Sequence, residues 1–187
     1  MKHNRVVVGM SGASGQIYGI TLMQELKKQG VEIHLVISGS ARKTIELETD
    51  HKVEQVERYA DYLYQEEEIG ASISSGSFHH RGMVVVPCSI KTLSGIANSY
   101  NENLLIRAAD VTLKERRPLI LVVRETPLHR GHLGLLLKAS EAGATIMPPV
   151  PAFYNRPTTL SDIVNHTVGR IMDHLGLENT LIREWRG

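Results

Sequence analysis

Thiols and large aromatics are scarce in this chain: one cysteine, Cys88, one tryptophan, Trp185, and two phenylalanines among 187 residues. A lone cysteine excludes an internal disulfide and fits a reducing compartment. No apolar run approaches the length of a membrane span, which argues against a transmembrane protein. Met1-Lys2-His3-Asn4-Arg5 leads straight into a strand pattern without the apolar core of a signal peptide, so a cytoplasmic protein is expected. Neither sign of charge dominates: the formal net charge is +1 and the charges are mixed along the chain. That balance speaks against a nucleic-acid-binding tail and against a basic membrane patch. With phenylalanine so rare, Val, Ile, Leu and Ala supply most of the apolar mass, as in α/β proteins with buried parallel strands. The length suffices for one proper core and would cramp two, so residues 1–187 are expected to form a single domain.

What the chain has in quantity is glycine at a telling place. The first strand runs into Gly9-Met10-Ser11-Gly12-Ala13-Ser14-Gly15, three glycines at every third position with small hydroxyl residues between them. Such a loop at a helix start exposes backbone N–H groups to a phosphate or another anion. The spacing is G-x-x-G-x-x-G, not the G-x-G-x-x-G of a dinucleotide site, and no Gly-Lys-Ser/Thr follows as in a P-loop. A nucleotide or flavin phosphate site of a less common type is one reading; a glycine turn kept for packing is the other.

Strand and helix patterns alternate along the chain. Strands are expected at Arg5–Val8, Val31–Ile37, Met83–Val86 (ended by Pro87), Leu119–Val123 and Thr145–Met147. Helices are expected at Gln16–Gln29, Ala41–Glu48, Val53–Gln65, Leu104–Leu113, Leu128–Glu141 and Leu160–Leu175. The first helix carries Ile17, Ile20, Leu22, Met23 and Leu26 as its apolar stripe, and Gly30 is placed to cap it. Gly70–Gly82 and Cys88–Thr92 read as loops. Strands separated by helix-length segments imply parallel pairing with right-handed crossovers, hence an α/β, doubly wound, Rossmann-like sheet with helices on both faces. Ligands of such sheets collect at the carboxyl ends of the strands. The chemistry should therefore lie in residues 9–15, 38–40, 87–92, 124–127 and 148–154.

Several residues at that edge invite a function. After the second strand stands Ser38-Gly39-Ser40, where an NAD enzyme would place a carboxylate for the ribose. These hydroxyls could bind a phosphate or a flavin edge, or simply cap the next helix. Ser89, Lys91 and Thr92 offer hydroxyls, amides and one cation to a phosphate. Cys88, at the end of an apolar strand, reads as a packing residue rather than a nucleophile. Arg107, Lys114, Arg116, Arg117 and Arg124 cluster around one helix–strand unit. Arg116 and Arg117 read as a solvated face, whereas Arg124 and Glu125 at a strand terminus suit a phosphate clamp with a general acid beside it. Nine histidines are present, but His79-His80 and His129/His132 lack a ligand set, so no metal is expected.

Six ordered motifs carry a resemblance over Arg5 to Trp185: residues 7–15, Ser-Gly-Ser-Phe (75–78), Val-Pro-Cys-Ser-Ile-Lys-Thr-Leu-Ser (86–94), Leu-Lys-Glu-Arg-Arg-Pro (113–118), Arg-Glu-Thr-Pro-Leu (124–128) and Pro-Ala-Phe-Tyr (151–154). Together they resemble the UbiX/Pad family of flavin prenyltransferases. The resemblance implies a flavoprotein-type fold and an enzyme that joins a dimethylallyl group from dimethylallyl monophosphate to N5 and C6 of reduced FMN. The prenylated FMN would pass to a UbiD-type decarboxylase of aromatic or phenolic acids. By position, FMN would be held by Gly12, Ala13, Ser14, Ser38, Ser89, Ile90, Lys91, Thr92 and Arg107. Lys114, Arg124, Tyr154 and Arg170 would hold the prenyl phosphate, Glu125 would be the acid–base group, and Ser14 would manage the proton near flavin N5. Trp185 would wall the site with an aromatic face. The tail, about 160–187, would complete the site or pack on a neighbouring subunit of a homo-oligomer, a dodecamer in the family.

Chemically the set is apt: cleaving an allylic C–O bond needs cations on the leaving phosphate and π-faces for the allyl cation, and no metal. Two rival readings stand beside it. An FMN-dependent decarboxylase acting by itself would resemble the cysteine decarboxylases, but their Pro-x-Met-Asn loop is replaced here by Pro151-Ala152-Phe153-Tyr154-Asn155. A non-catalytic flavin-binding subunit of a decarboxylase complex is the other.

Overall fold

The computed structural model describes residues 4–182. Six parallel strands form one sheet in the order β3-β2-β1-β4-β5-β6. They are β1 (Arg5–Met10), β2 (Glu32–Ile37), β3 (Tyr62–Tyr64), β4 (Met83–Cys88), β5 (Leu119–Val123) and β6 (Thr145–Ile146). Among the described residues seven helices cover the sheet: α1 (Gln16–Lys28), α2 (Gly39–Glu48), α3 (Val53–Glu57), α4 (Ile90–Ala97), α5 (Leu104–Lys114), α6 (Arg130–Glu141) and α7 (Leu160–His174). The side-chain alternation of a strand sorts them into two layers. Val6, Val8 and Met10 point into a core shared with α1, α2, α3 and α7, while Val7 points into a second core shared with α4, α5 and α6. The doubly wound, two-faced arrangement expected from the strand–helix alternation is therefore present. Its strand order reverses between β1 and β4, which opens a crevice at their carboxyl ends.

Four local expectations are corrected. Val53–Gln65 is not one helix: α3 stops at Glu57, and Tyr62–Tyr64 adds an edge strand to β2. Asp61 directs that switch, since its backbone N–H donates to Ile33 O (3.0 Å) and its carboxylate accepts from Ile33 N (2.9 Å) and Lys27 Nζ (2.9 Å). Pro87 does not end β4; the strand continues to Cys88 through a register shift against β5. The segment after it is not a loop, because Ser89 caps α4. In α1, Ile17 is 38% exposed, and Gln16 and Gly19 take places in the buried face instead. Gly30 closes α1 at φ +63°, in keeping with its expected capping place.

The Gly70–Gly82 segment is tied down rather than loose, with a 3-10 turn at Ser72–Ser74. Arg117, read from sequence as solvated, donates to Phe78 O (2.8 Å) and Gly76 O (2.7 Å). His80, at the end of the segment, is held down from 6.5 to about 4 by burial, with the Arg117 and Arg5 guanidiniums adding to it and a hydrogen bond to the Gly82 backbone opposing it. A depressed folded-state value means that the unfolded chain takes up the proton first. Between pH 6.5 and about 4 the protein should therefore lose on the order of 2–3 kcal/mol of stability as pH falls. In His80→Leu that acid limb should flatten, as read from urea midpoints across the same pH range; an unchanged slope would remove His80 from the account.

Candidate active site

The glycine loop is held from three sides. Ser11 Oγ donates to Pro87 O (3.0 Å) and accepts from Ser89 N (2.8 Å), bolting the end of β1 to the end of β4. Gln16, buried at the first turn of α1, donates from Nε2 to Ser11 O and Ala13 O, both at 2.9 Å. Gly15 turns the chain into α1 at φ +101°, and its N–H donates to Glu48 Oε2 at 2.8 Å. Ala13 and Ser14 are thus presented by a fixed loop beside a carboxylate at the end of α2. Ser11, Gln16 and Glu48 were missed from sequence; the first two stand within or next to the glycine motif, whereas nothing local marks Glu48. Ser11→Ala would leave the Ser89 amide unpaired at a half-buried position. We expect it to cost about 1–3 kcal/mol, visible as a lowered urea midpoint with an unchanged m-value.

Against this loop lies a cleft of 420 Å³ lined by Gly12, Ser38, Ser89, Lys91 and Thr92, five of the nine residues expected to hold flavin. Three helices start at its wall: α2, α4 and α5, the last through its cap Asn103. Ser38 caps α2 by accepting from Ala41 N (3.1 Å), so of the two readings for Ser38 and Ser40 the capping role falls to Ser38. Ser89 caps α4 by accepting from Thr92 N (3.3 Å) and donates to Thr92 Oγ1 (3.1 Å). Gly12 leans so far onto α2 that a Cβ there would sit 2.3 Å from Ser40 Cβ. Three helix N-termini, four hydroxyls and a backbone with no room for a side chain fit a phosphorylated cofactor such as FMN. Ile90 opens α4 and packs against the second core. Lys91 is 2.8 Å from Glu102, whose carboxylate raises the lysine's pKa. Arg107 follows Ile106 of the cleft wall but turns to Asp110 at 3.4 Å, outside the lining.

The residues expected at the prenyl phosphate are less gathered. Arg124 leaves β5 with its backbone N–H on Cys88 O (3.1 Å), which sets it on the edge that carries the cleft. Tyr18 of α1 has its pKa raised by burial and pulled down by the Arg124 charge. Glu125 is exposed at the same edge, and its Oε1 accepts from Thr126 N at 3.0 Å. Tyr154 is 57% exposed with its hydroxyl 2.8 Å from His166 Nε2, and Arg170 reaches Asp173 at 3.1 Å. Lys114 does not join them. It ends α5, paired with Glu115, about 16 Å along the helix from the cleft. Trp185 lies outside the described residues. Cys88 is fully buried, and burial pushes its thiol pKa far up, which suits packing and not nucleophilic attack. Among the described residues no cluster of three or more His, Cys, Asp or Glu could hold a metal, and no helix is long and apolar enough to cross a membrane.

Known proteins share this arrangement over nearly the whole chain. The Flavoprotein family matches residues 1–172. The flavin prenyltransferase UbiX of Thauera aromatica is 55% identical over 183 residues, spanning 98% of this chain and 94% of that protein. A crystal structure of AnUbiX (PadA1) in complex with FMN and dimethylallyl pyrophosphate superposes with a TM-score of 0.96 at 45% identity, covering 98% of this chain and 97% of that one. A dodecameric FMN-dependent UbiX-like decarboxylase from Escherichia coli O157:H7 superposes with a TM-score of 0.95 at 48% identity, covering 98% and 100%. With its glycine loop, its switch-point cleft and full-length identity above half, the chain belongs to the UbiX flavin prenyltransferase family.

Proposed function

We propose that this protein binds reduced FMN in the β1/β4 cleft and joins to its N5 and C6 the dimethylallyl group of dimethylallyl monophosphate. The prenylated FMN then serves a UbiD-type decarboxylase. The observation that carries the reading is the convergence of Gly12, Ser38, Ser89, Lys91 and Thr92 on one cleft at the switch point, in a chain of this family. Reduced FMN, when bound, supplies the electron-rich positions that accept the C5 group. The chain's part is positioning and charge. Arg124, Tyr154 and Arg170 would hold the phosphate and neutralise it as the C–O bond opens. Glu125 would protonate the departing phosphate oxygen and then take up the proton released on ring closure. Ser14, fixed by the Gln16 and Glu48 bonds to its loop, would hold the proton near N5.

Lys114 could reach a phosphate at this cleft only from another copy of the chain, in keeping with a homo-oligomer. The surface supports assembly: α6 buries Ala139 and leaves Leu133 and Leu137 exposed, beside an exposed Leu128. Trp185 would wall the site with its aromatic face, the tail, about 160–187, would complete the site or pack on a neighbouring subunit, and a single buried cysteine fits work in the cytoplasm.

The test is anaerobic incubation with reduced FMN and dimethylallyl monophosphate, with the pyrophosphate in parallel, followed by flavin mass and absorbance. A flavin heavier by one C5 unit, with the monophosphate as donor, is expected. Unchanged FMN on a folded, flavin-loaded protein would overturn the reading in favour of a carrier or of a decarboxylase acting directly.

A further inference from the structure

The cleft that should receive a phosphate already holds an anion of its own. Glu66, just after β3, places Oε2 on Gly39 N at 2.6 Å, the first N–H of α2. Its Oε1 accepts from Asn103 Nδ2 at 2.9 Å, and its backbone carbonyl accepts from Leu104 N at 2.8 Å. Asn103 is itself the cap of α5, accepting from Ile106 N at 3.0 Å. The N-termini of α2, α4 and α5 therefore meet at one cleft, and the carboxylate spans two of them. Three converging positive helix ends would bind a phosphate dianion firmly. Yet the charged side chains of the lining cancel: Lys43 and Lys91 against Glu66 and Glu102, with Lys91 held by Glu102 at 2.8 Å.

A cofactor retained through many turnovers has no use for such carboxylates. A flavin that enters as one reactant and must leave as product has. Resting on the prenyltransferase reading, we propose that Glu66 is a resident anion that competes with the flavin phosphate for the α2 N-terminus and sets how readily flavin leaves. Glu102, by occupying Lys91, acts in the same direction. Like charges held a few ångströms apart at a half-buried site repel by enough to matter, and salt weakens the repulsion. The role is specific to phosphate, since a flavin without it presents no charge to Glu66.

Glu66→Gln removes the charge and keeps an oxygen for Gly39 N. In flavin fluorescence titrations and stopped-flow release at low salt, E66Q should bind FMN about tenfold tighter and release it correspondingly more slowly. Riboflavin affinity should stay as in the wild type, and the FMN gap should narrow in high salt. E102Q, which frees Lys91, should tighten FMN in the same sense. Unchanged or weaker FMN binding in E66Q, or an equal gain for riboflavin, would overturn the proposal; should E66Q misfold, an unchanged FMN affinity in E102Q would do so. A wild-type chain that binds FMN but transfers no prenyl group would overturn the functional reading alone, and one that binds no FMN would overturn both.

Discussion

Gly12→Ala is expected to weaken FMN binding by roughly 10- to 100-fold while the protein still folds. The added methyl would lie 2.3 Å from Ser40 Cβ and 3.3 Å from the Ser40 carbonyl carbon, a backbone atom that cannot rotate away. The loop on the other side is no freer, being fixed by Ser11, Gln16 and the Gly15–Glu48 bond. Relief must come from shifting the first turn of α2 away from the loop, and overpacking of this kind costs about 1–3 kcal/mol. The shift falls on Ser38 and Gly39, the cleft wall itself, so the loss appears in ligand affinity as well as in stability. FMN titration beside a thermal melt checks it. Wild-type affinity in Gly12→Ala would show that the loop and α2 part easily and that their close approach is not what shapes the site.

How much of this was legible in the sequence depended on where the determining forces lie. Buried parallel strands need apolar residues on both faces, so β4 and β5 stand out as unbroken hydrocarbon runs, and the glycine loop marks the helix start after β1. The strand–helix alternation alone then implies which edge of the sheet carries the cleft. What stayed hidden is set by contacts distant in sequence. Tyr62–Tyr64 is a three-residue edge whose pairing depends on Asp61 reaching Ile33 and Lys27, and locally it continues a helical pattern. Ser89 starts a helix rather than a loop by capping Thr92 N, and its place is fixed by Ser11, 78 residues earlier.

The site shows the same division. Gly12, Ser38 and the Ser89–Thr92 stretch announce themselves as glycines and hydroxyls at strand ends. Glu48 and Glu66 do not, because a glutamate in a charged helix or loop looks solvated until the fold brings a glycine amide against it. Arg117 was misread for the same reason, since its acceptors are carbonyls 39 and 41 residues away. Lys114 marks a different boundary. It belongs to the expected phosphate set, yet one copy of the chain holds it at the far end of α5, so no reading of a single fold could have brought it to the cleft.

Glu125→Gln is expected to lower the rate of prenyl transfer by about 10²- to 10⁴-fold, the usual span for removing a positioned acid–base group. FMN should still bind, because Glu125 is not part of the cleft lining. The substitution is well matched to the question. Glu125 Oε1 accepts from Thr126 N at 3.0 Å, and a glutamine oxygen can accept the same bond. The turn after β5, and with it the Arg124 guanidinium, therefore keeps its place, and what disappears is the capacity to give and take a proton. A departing phosphate that is only clamped by cations and not protonated leaves at the rate its charge stabilisation allows, so a residual activity is expected rather than none. Single-turnover transfer with pre-reduced FMN separates this step from flavin release. A rate within threefold of wild type would strip Glu125 of its role and put the protonation on the cations or on solvent. A large loss accompanied by equal loss of FMN binding would instead make it a structural residue of the edge. Only the loss of transfer with flavin retained assigns the proton to Glu125.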